Sequence, residues 1–294
     1  MKYAFFPGCV SKGACPELYQ SVMQVYPKLG IELAEMTTAS CTGAGVLQEK
    51  DQRLGDALNA RTFALAEQQG LPIMTICSTC QGVMSQANHR LTTRPHYLQE
   101  MNGLLREEGL TYRGTTTIKH FLWILLEDVG EEALRQHITR PLSGLRAAPF
   151  YGCYIQRPTD ALEFDRNPDR GKSLERIIEI LGAEVVDFPG KTRCCGFPIL
   201  TINKKNSLTM VATHTRDAQS HGADIMVTPC PLCHLNLDGM QSNAASQEQA
   251  AIDLPILHLP QLLGLAMGLD TKSLGLQRNL ISPESALAKI GCGL

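Results

Sequence analysis

The sequence predicts an α/β protein built from two similar halves, each with a small parallel sheet flanked by helices. Three observations lead to this prediction. Strand-like and helix-like segments alternate along the chain, as is typical of parallel sheets. One spacing of cysteines occurs twice. The length of 294 residues lies near the size at which a single core divides into two.

The first half begins with the apolar run Lys2–Phe6, which we expect to be a strand because Pro7 and Gly8 follow it. A helix is predicted from Pro16 onward, since proline suits a first turn, and Gly30 ends it. The further predicted elements of this half are a helix over Leu54–Gln69, a strand over Pro72–Ile76, and helices over 81–91, 96–108 and 117–129.

Residues 141–149 carry proline, glycine and serine and are the best linker candidate, so we place the domains at 1–143 and 144–294. The second half then repeats the alternation. Its predicted strands are Ala148–Tyr151, Glu184–Phe188 and Ala223–Thr228, and its predicted helices are 173–181, 205–220 and Leu259–Leu269. The apolar character of the last helix is more typical of a core than of a membrane anchor.

Charge and composition exclude several classes of protein. The formal net charge is −2, with 27 basic and 29 acidic residues, which favours neither nucleic acid nor an anionic membrane as a partner. No apolar stretch approaches the roughly 20 residues of a transmembrane helix, and the N-terminus lacks a signal-peptide pattern. We therefore expect a cytoplasmic protein, with peripheral docking at a membrane through partner subunits left open. In that compartment, patterned cysteines indicate metal or redox chemistry rather than disulfides.

Nine of the eleven cysteines form the two copies of the spacing. In the second half they are Cys153, then the adjacent pair Cys194-Cys195 after forty intervening residues, then Cys230-Pro-Leu-Cys233 after another thirty-four. In the first half they are Cys9, then Cys41-Thr42 after thirty-one residues, then Cys77-Ser-Thr-Cys80 after thirty-four. Each central pair is followed by glycine. The cysteines that follow strands should gather at one edge of each sheet.

The two sets predict centres of unequal kind. A structural zinc ion takes four ligands, whereas the second set offers five thiolates, two of them adjacent, which favours an iron–sulfur cluster over zinc. Simply packed or disulfide-forming thiols are the remaining alternatives. The first set offers four thiolates because Thr42 is a poor ligand. It is compatible with an ordinary iron–sulfur cluster, with zinc, or with an empty site in which Cys41 or Cys80 is a redox thiol.

This pattern resembles the CCG-domain proteins, named for their Cys-Cys-Gly signature, and in particular the heterodisulfide reductase B subunit. The resemblance covers nearly the whole chain and implies two pseudo-repeated CCG domains. It also implies a noncubane [4Fe-4S] cluster held by Cys153, Cys194, Cys195, Cys230 and Cys233. Cys9, Cys41, Cys77 and Cys80 match four positions of the other ligand set, so the resemblance implies a second centre there, of iron–sulfur or zinc type.

The resemblance also implies a function. The chain would be an oxidoreductase subunit, active within a complex that contains a ferredoxin-like iron–sulfur subunit and a flavoprotein subunit. It would carry out thiol/disulfide chemistry or electron transfer at the second cysteine set. The alternative is an electron-transfer and membrane-anchoring subunit of a succinate dehydrogenase or fumarate reductase complex that delivers electrons to quinone.

Other candidate residues carry weaker signals. His234, next to Cys233, could donate a proton to the site, although an exposed or helix-start position explains it as well. His120 and His258 recur before apolar helices, where capping explains them equally. We expect Cys15 to be a helix-start thiol and Cys292 to be unligated.

Overall fold

The computed structural model describes residues 1–45 and 47–294. Its strands are β1 (Lys2–Phe6), β2 (Glu32–Glu35), β3 (Ile73–Thr75), β4 (Ile118–His120), β5 (Arg146–Pro149), β6 (Glu184–Val185), β7 (Ile225–Thr228) and β8 (Ile256–His258). They form two four-stranded sheets with orders β2-β1-β3-β4 and β6-β5-β7-β8. All pairings are parallel. The predicted fold class is thereby confirmed, and the two sheets share one topology.

Helices connect the strands. They are α1 (Cys9–Gly13), α2 (Pro16–Val25), α3 (Leu47–Lys50), α4 (Gln52–Gln69), α5 (Ser78–Thr93), α6 (Pro95–Leu105), α7 (Phe121–Ile124), α8 (Glu131–Gln136), α9 (Ser173–Ile180), α10 (Lys204–Ser220), α11 (Pro231–Gly239), α12 (Gln241–Glu248), α13 (Leu259–Ala266) and α14 (Glu284–Lys289). N-cap side chains explain why two of the long helices begin where they do. Asp51 and Asn203 each cap a long helix by accepting a hydrogen bond from a backbone N–H three residues on.

Two predicted segments need correction. The helix predicted over 117–129 begins as the strand β4, and its last five residues continue α7 as a π-helix. The last four residues of the linker predicted over 141–149 form the strand β5. This strand begins two residues before the predicted strand Ala148–Tyr151. The remaining predicted strands and helices are present with shifted ends. The division of the chain at residues 143 and 144 stays a prediction.

The largest core joins the two halves. Its buried members include Leu18 and Val22 of α2 as well as Leu262 and Leu263 of α13, and these two helices are neighbours in the fold. A second close approach involves Gly82 of α5, where an added Cβ would lie 2.5 Å from the carbonyl oxygen of Tyr154. The first half of the chain therefore packs directly against the loops that follow the strands of the second.

Candidate functional site

The sheets place the cysteines. In a parallel sheet the carboxyl ends of the strands share one edge. Cys77 follows β3 and is the N-cap of α5, and Cys230 follows β7 and is the N-cap of α11. Cys9 begins α1 after β1, and Cys153 lies in the loop after β5. The expected gathering of cysteines at the strand ends is therefore present in both halves.

The second set lines one cavity of about 450 Å³. Neighbouring thiols in it lie close enough to shift one another's pKa, so that the five side chains form one continuous group. The order of contact is Cys153, Cys194, Cys195, Cys233 and Cys230. The last three are buried, and the first two are half-buried. The structure thus brings together every cysteine that the sequence assigns to this set.

The backbone around the central pair is fixed from outside. Gly196 has a φ of +90°, which disfavours any residue with a side chain, and an added Cβ would lie 3.0 Å from Oγ of Ser207. Asn236 donates to the carbonyl oxygen of Cys195 at 2.7 Å, and Nε2 of His214 donates to that of Cys194 at 2.9 Å. These contacts hold both sulfur-bearing residues against α10 and α11.

The thiols of this set cannot easily ionise together. Hydrogen bonds from neighbouring thiols lower the pKa of Cys194 and of Cys230. The same contacts, with burial, raise the pKa of Cys153, Cys195 and Cys233. A bound metal centre would supply the positive charge that five neighbouring thiolates need, because a coordinating thiol is deprotonated outright. The donor set therefore fits an iron–sulfur cluster, whose ligands are thiolates.

The cysteines of the first set are more exposed than those of the second set. Cys9 and Cys41 are exposed and Cys80 is half-buried. The pKa of Cys9 is raised by burial and then by the neighbouring Cys41 and Cys80, so these three lie together. Thr42, which is 2% exposed, donates from Oγ1 to Sγ of Cys80 at 3.9 Å.

An asparagine side chain fixes the backbone carbonyl of Thr42, as Asn236 fixes that of Cys195. Asn59 donates to the carbonyl oxygen of Thr42 at 3.0 Å. The hydroxyl therefore lies among the cysteines of the first set, on a backbone fixed like that of the Cys-Cys-Gly motif.

Cys77 lies between the two sets. Its thiol interacts first with Cys230 and then with Cys80, and it belongs to the same buried cluster as Cys195. Oγ1 of Thr79 lies 3.5 Å from Sγ of Cys230. The sequence assigned Cys77 to the first set alone, because spacing along the chain does not reveal that α5 and α11 start side by side. The two sets are therefore neighbours across the interface between the halves.

The other candidates lie outside the cavity. Cys15 is the N-cap of α2, as expected, and its thiol donates to the carbonyl oxygen of Pro231 at 3.6 Å. Cys292 is half-buried, and its sulfur accepts from Nη1 of Arg140 at 2.8 Å. His234 is buried rather than exposed, and its ring stacks on that of His258 with centroids 3.9 Å apart. Among the described residues that line the cavity, Cys233 is present and His234 is not.

Sequence reasoning missed the apolar side of the cavity. Phe197, Pro198, Ile199, Leu200 and Ile202 line it directly after the Cys-Cys-Gly signature. Ile202 is 83% exposed and therefore lies at the rim. Within the described part of the lining, Glu49 is the sole charged residue, and lysine and arginine are absent. The apolar run after Gly196 was a readable signal for this surface.

Comparisons with known proteins agree with this geometry. The family model for the CCG cysteine-rich domain matches residues 3–85 and 147–238. The chain is 38% identical over 280 residues to the 8-methylmenaquinol:fumarate reductase membrane anchor subunit of Wolinella succinogenes, covering 95% of this chain and 97% of that one.

A second relative has a different name. The chain is 32% identical over 295 residues to the B subunit of the ferredoxin/F(420)H(2)-dependent CoB-CoM heterodisulfide reductase of Methanosarcina acetivorans, covering 98% of this chain and 97% of that one. Both relatives are subunits of oxidoreductase complexes.

A solved structure shows the same fold. It is a hypothetical protein from Helicobacter pylori, with a TM-score of 0.76 and 16% identity, and the match covers 96% of this chain and 52% of that one. Among the helices of the described residues, none combines the length and apolar character needed to cross a bilayer. The two matched segments contain both cysteine sets, and on this evidence the chain belongs to the CCG cysteine-rich domain family.

Proposed function

We propose that the chain is the iron–sulfur subunit of a reductase complex that exchanges electrons with a quinone or quinol. The observation that carries this proposal is the cavity, which combines five cysteines with an apolar rim and no lining lysine or arginine among the described residues. A neutral, apolar redox partner suits such a surface better than an anionic one. The 38% identity to a subunit named for a menaquinol:fumarate reductase supports the same choice.

The proposed ligands of a noncubane [4Fe-4S] cluster are Cys153, Cys194, Cys195, Cys230 and Cys233. Bound there, the cluster supplies one-electron transfer. A second centre at the first set is proposed on Cys9, Cys41, Cys77 and Cys80, with its type open between iron–sulfur and zinc. The position of Cys77 between the sets supports a relay between them.

The side chains around the cavity have definable tasks. The pKa of Tyr154 is raised by burial and by the nearby Cys153, so its phenol stays protonated at neutral pH. It lines the cavity, and its hydroxyl, which donates to Oε1 of Gln48 at 3.3 Å, would exchange this acceptor for a quinone carbonyl oxygen. Phe197 and Leu200 would exclude water from the ring of the partner.

Thiol/disulfide chemistry is the second candidate. Its support is the group of relatives named as heterodisulfide reductase B subunits or as similar to them, three of which are 31–32% identical to this chain. A disulfide substrate that carries negatively charged groups would need cationic side chains at the rim of the cavity. A ferredoxin-like subunit and a flavoprotein subunit are the proposed partners in that case. Reduction of a disulfide by the assembled complex, with quinol inactive, would favour this candidate.

The cluster assignment is tested by anaerobic purification followed by iron and acid-labile sulfide analysis and by EPR under redox titration. Cys195→Ser should remove the EPR signal of the second cysteine set and leave any signal of the first set unchanged. Cys292→Ser is the matched control, because Cys292 belongs to neither set, and it should leave the whole spectrum unchanged. Identical spectra for wild type and Cys195→Ser, or sulfide at trace level in wild type, would contradict the assignment.

A further inference from the structure

Four buried side chains with metal-binding atoms meet outside the cysteine-lined cavity, in the interface between the two halves. They are Cys15, Glu17, His234 and His258, and their ligand atoms all lie within 4.8 Å of one another. We propose that this quartet binds one zinc ion. None of its members belongs to either cysteine set, so the inference stands apart from the proposed function.

The spacing of the quartet suits a small tetrahedral ion. Nε2 of His258 lies 3.4 Å from Oε1 of Glu17. Two nitrogen or oxygen ligands that are each about 2.0–2.2 Å from zinc in a tetrahedron lie about 3.3–3.6 Å apart, so this pair already has the required separation. All four side chains are nine-tenths or more buried, with exposures of 0% for Cys15, 5% for Glu17, 4% for His234 and 0% for His258. Water therefore has little access to compete for the ion.

The charges of the quartet match a divalent ion. Cys15 as a thiolate and Glu17 as a carboxylate carry two negative charges, and two neutral imidazoles add none. Zinc bound by these groups would leave the buried site without net charge, which removes the large cost of an isolated buried ion. One sulfur and two imidazole nitrogens favour zinc over magnesium or calcium, which prefer oxygen ligands.

Further contacts orient the ligands. Nε of Arg278 donates to Oε2 of Glu17 at 3.3 Å, on the oxygen that does not face His258. Nδ2 of Asn279 lies 3.5 Å from Nε2 of His234 and donates to the carbonyl oxygen of Ile256 at 2.6 Å. Such outer hydrogen bonds commonly fix the rings and carboxylates that hold a metal. The rings of His234 and His258 stack with an interplanar angle of 19° and centroids 3.9 Å apart, so one ring must rotate out of the stack for both to hold one ion in their planes.

The repeat of the fold provides an equivalent position, again with two residues from each half, and it shows that the fold does not require the quartet residues. The residue after Cys80, matching His234, is Gln81, and the residues six and eight places after Cys153 are Thr159 and Ala161. His120, which matches His258, is satisfied by the protein, since Nε2 donates to the carbonyl oxygen of Pro229 and Nδ1 accepts from a backbone N–H. The equivalent position thus has a single member of the pattern, whereas at the proposed site all four ligands converge.

Zinc K-edge X-ray absorption, with metal analysis, tests the proposal on the full-length chain in its complex, purified anaerobically. We expect a zinc centre with one sulfur at about 2.3 Å and the remaining nitrogen or oxygen ligands at about 2.0–2.2 Å, to which a zinc at the first cysteine set would add a shell of sulfur only. Zinc whose ligands are all sulfur, with no nitrogen or oxygen component, would overturn the proposal. A protein with its iron and sulfide in place and no zinc would overturn it as well.

Two variants sharpen the test. Cys15→Ser should lower the zinc affinity of the quartet at least about tenfold, measured as zinc lost to a competing chelator, since even outer-contact changes cost 10–100-fold in metal affinity. Cys292→Ser and His120→Gln are controls that should keep the zinc. If Cys15→Ser does not fold, as judged by iron and sulfide content, Glu17→Gln provides the same readout. Full zinc retention by a folded Cys15→Ser or Glu17→Gln protein would contradict the site.

Discussion

Nε2 of His120 donates a hydrogen bond to the carbonyl oxygen of Pro229 over 3.1 Å and so ties the end of β4 to the residue before Cys230. The other ring nitrogen, Nδ1, accepts from the backbone N–H of Leu122 at 3.0 Å and caps α7. Burial lowers the pKa of His120 to about 4, and the neutral ring has its proton on Nε2. One imidazole therefore caps a helix of the first half and supports a cysteine loop of the second.

Replacing this ring should destabilise the protein. His120→Ala removes a cap and leaves a buried carbonyl without its donor, which costs about 1–3 kcal/mol. His120→Asn should recover part of the loss, because its amide oxygen can replace Nδ1 as the acceptor. Thermal unfolding of the anaerobic protein measures the effect. His96, which is exposed, is the control position, and an alanine variant there as destabilising as His120→Ala would refute the explanation.

Gly82→Ala should also destabilise strongly. Its Cβ would lie 2.5 Å from the carbonyl oxygen of Tyr154, so the two halves must separate locally at a cost of about 1–3 kcal/mol. Gly103 offers a matched control in α6, because an added Cβ there meets nothing within 4 Å. Gly103→Ala should be neutral or stabilising by up to about 1 kcal/mol, as expected for alanine in a helix. Equal melting temperatures for the two variants would count against a tight interface.

Thr42→Cys should give the first cysteine set five thiolates, as the second set has. Thr42 is buried beside Cys80, and Asn59 holds its carbonyl as Asn236 holds that of Cys195. A cysteine there would complete a fifth thiolate and restore the Cys-Cys-Gly signature. We expect higher iron content and a changed EPR signal for this site, with the other signal constant. Thr42→Ser controls for the substitution itself, and a Cys variant indistinguishable from it would argue against a role for position 42 in setting the centre.

Asp238 should make stability depend on pH. Its carboxylate is buried, which raises its pKa to about 6, although it accepts from the N–H groups of Leu280 and Ile281. Since the folded state then binds the proton more tightly than the unfolded state, the contribution of Asp238 to stability falls as pH rises from about 4 to 6. The full change is about 3 kcal/mol at 1.36 kcal/mol per unit.

The measurement compares wild type with Asp238→Asn in thermal unfolding between pH 4 and pH 7. Wild type should gain stability relative to the variant as the pH falls. Asparagine cannot titrate, so the difference isolates this carboxyl group from the others. A difference that is constant over the whole range would show that the pKa of Asp238 is not raised.

Ile202→Glu should impair reaction with a quinol. The residue lies at the apolar rim of the cavity, and a charge there would oppose the approach of an apolar partner. We expect KM for the quinol to rise about tenfold in the assembled complex, which corresponds to about 1.4 kcal/mol, while turnover with a soluble dye is unchanged. Leu280→Glu is the control, because Leu280 is equally apolar, is 73% exposed and does not line the cavity. Unaltered quinol kinetics in Ile202→Glu would contradict the proposed entry route.

The sequence predicted the cysteine centres better than their surroundings. The duplicated spacing selected five cysteines that the fold brings to one cavity, because each follows a strand or a turn whose position the fold fixes, and their role as ligands stays a prediction. It could not show that Cys77 touches Cys230, since that contact depends on how the two halves dock. It also missed the pairing of His234 with His258, which lies within the second half and depends on how α11 packs against β8.

The missed strands share a physical cause. β2 is a short edge strand with glutamate at both ends, so it has neither an apolar run nor a clear alternation. β4 has only three residues and leads directly into a helix, so the helical pattern absorbed it. Short strands of this kind are held by pairing with their neighbours rather than by their own composition.

The core that contains Leu18 and Leu263 together has a consequence for how such a molecule can change over time. A duplicated gene segment normally leaves two copies free to drift apart or to be exchanged between proteins. Here each copy supplies part of the hydrophobic core against which the other packs. A fragment carrying one copy would therefore expose apolar side chains to water. The two copies can diverge at their cysteine motifs, as Thr42 and Cys195 already have, but they must be inherited as a pair.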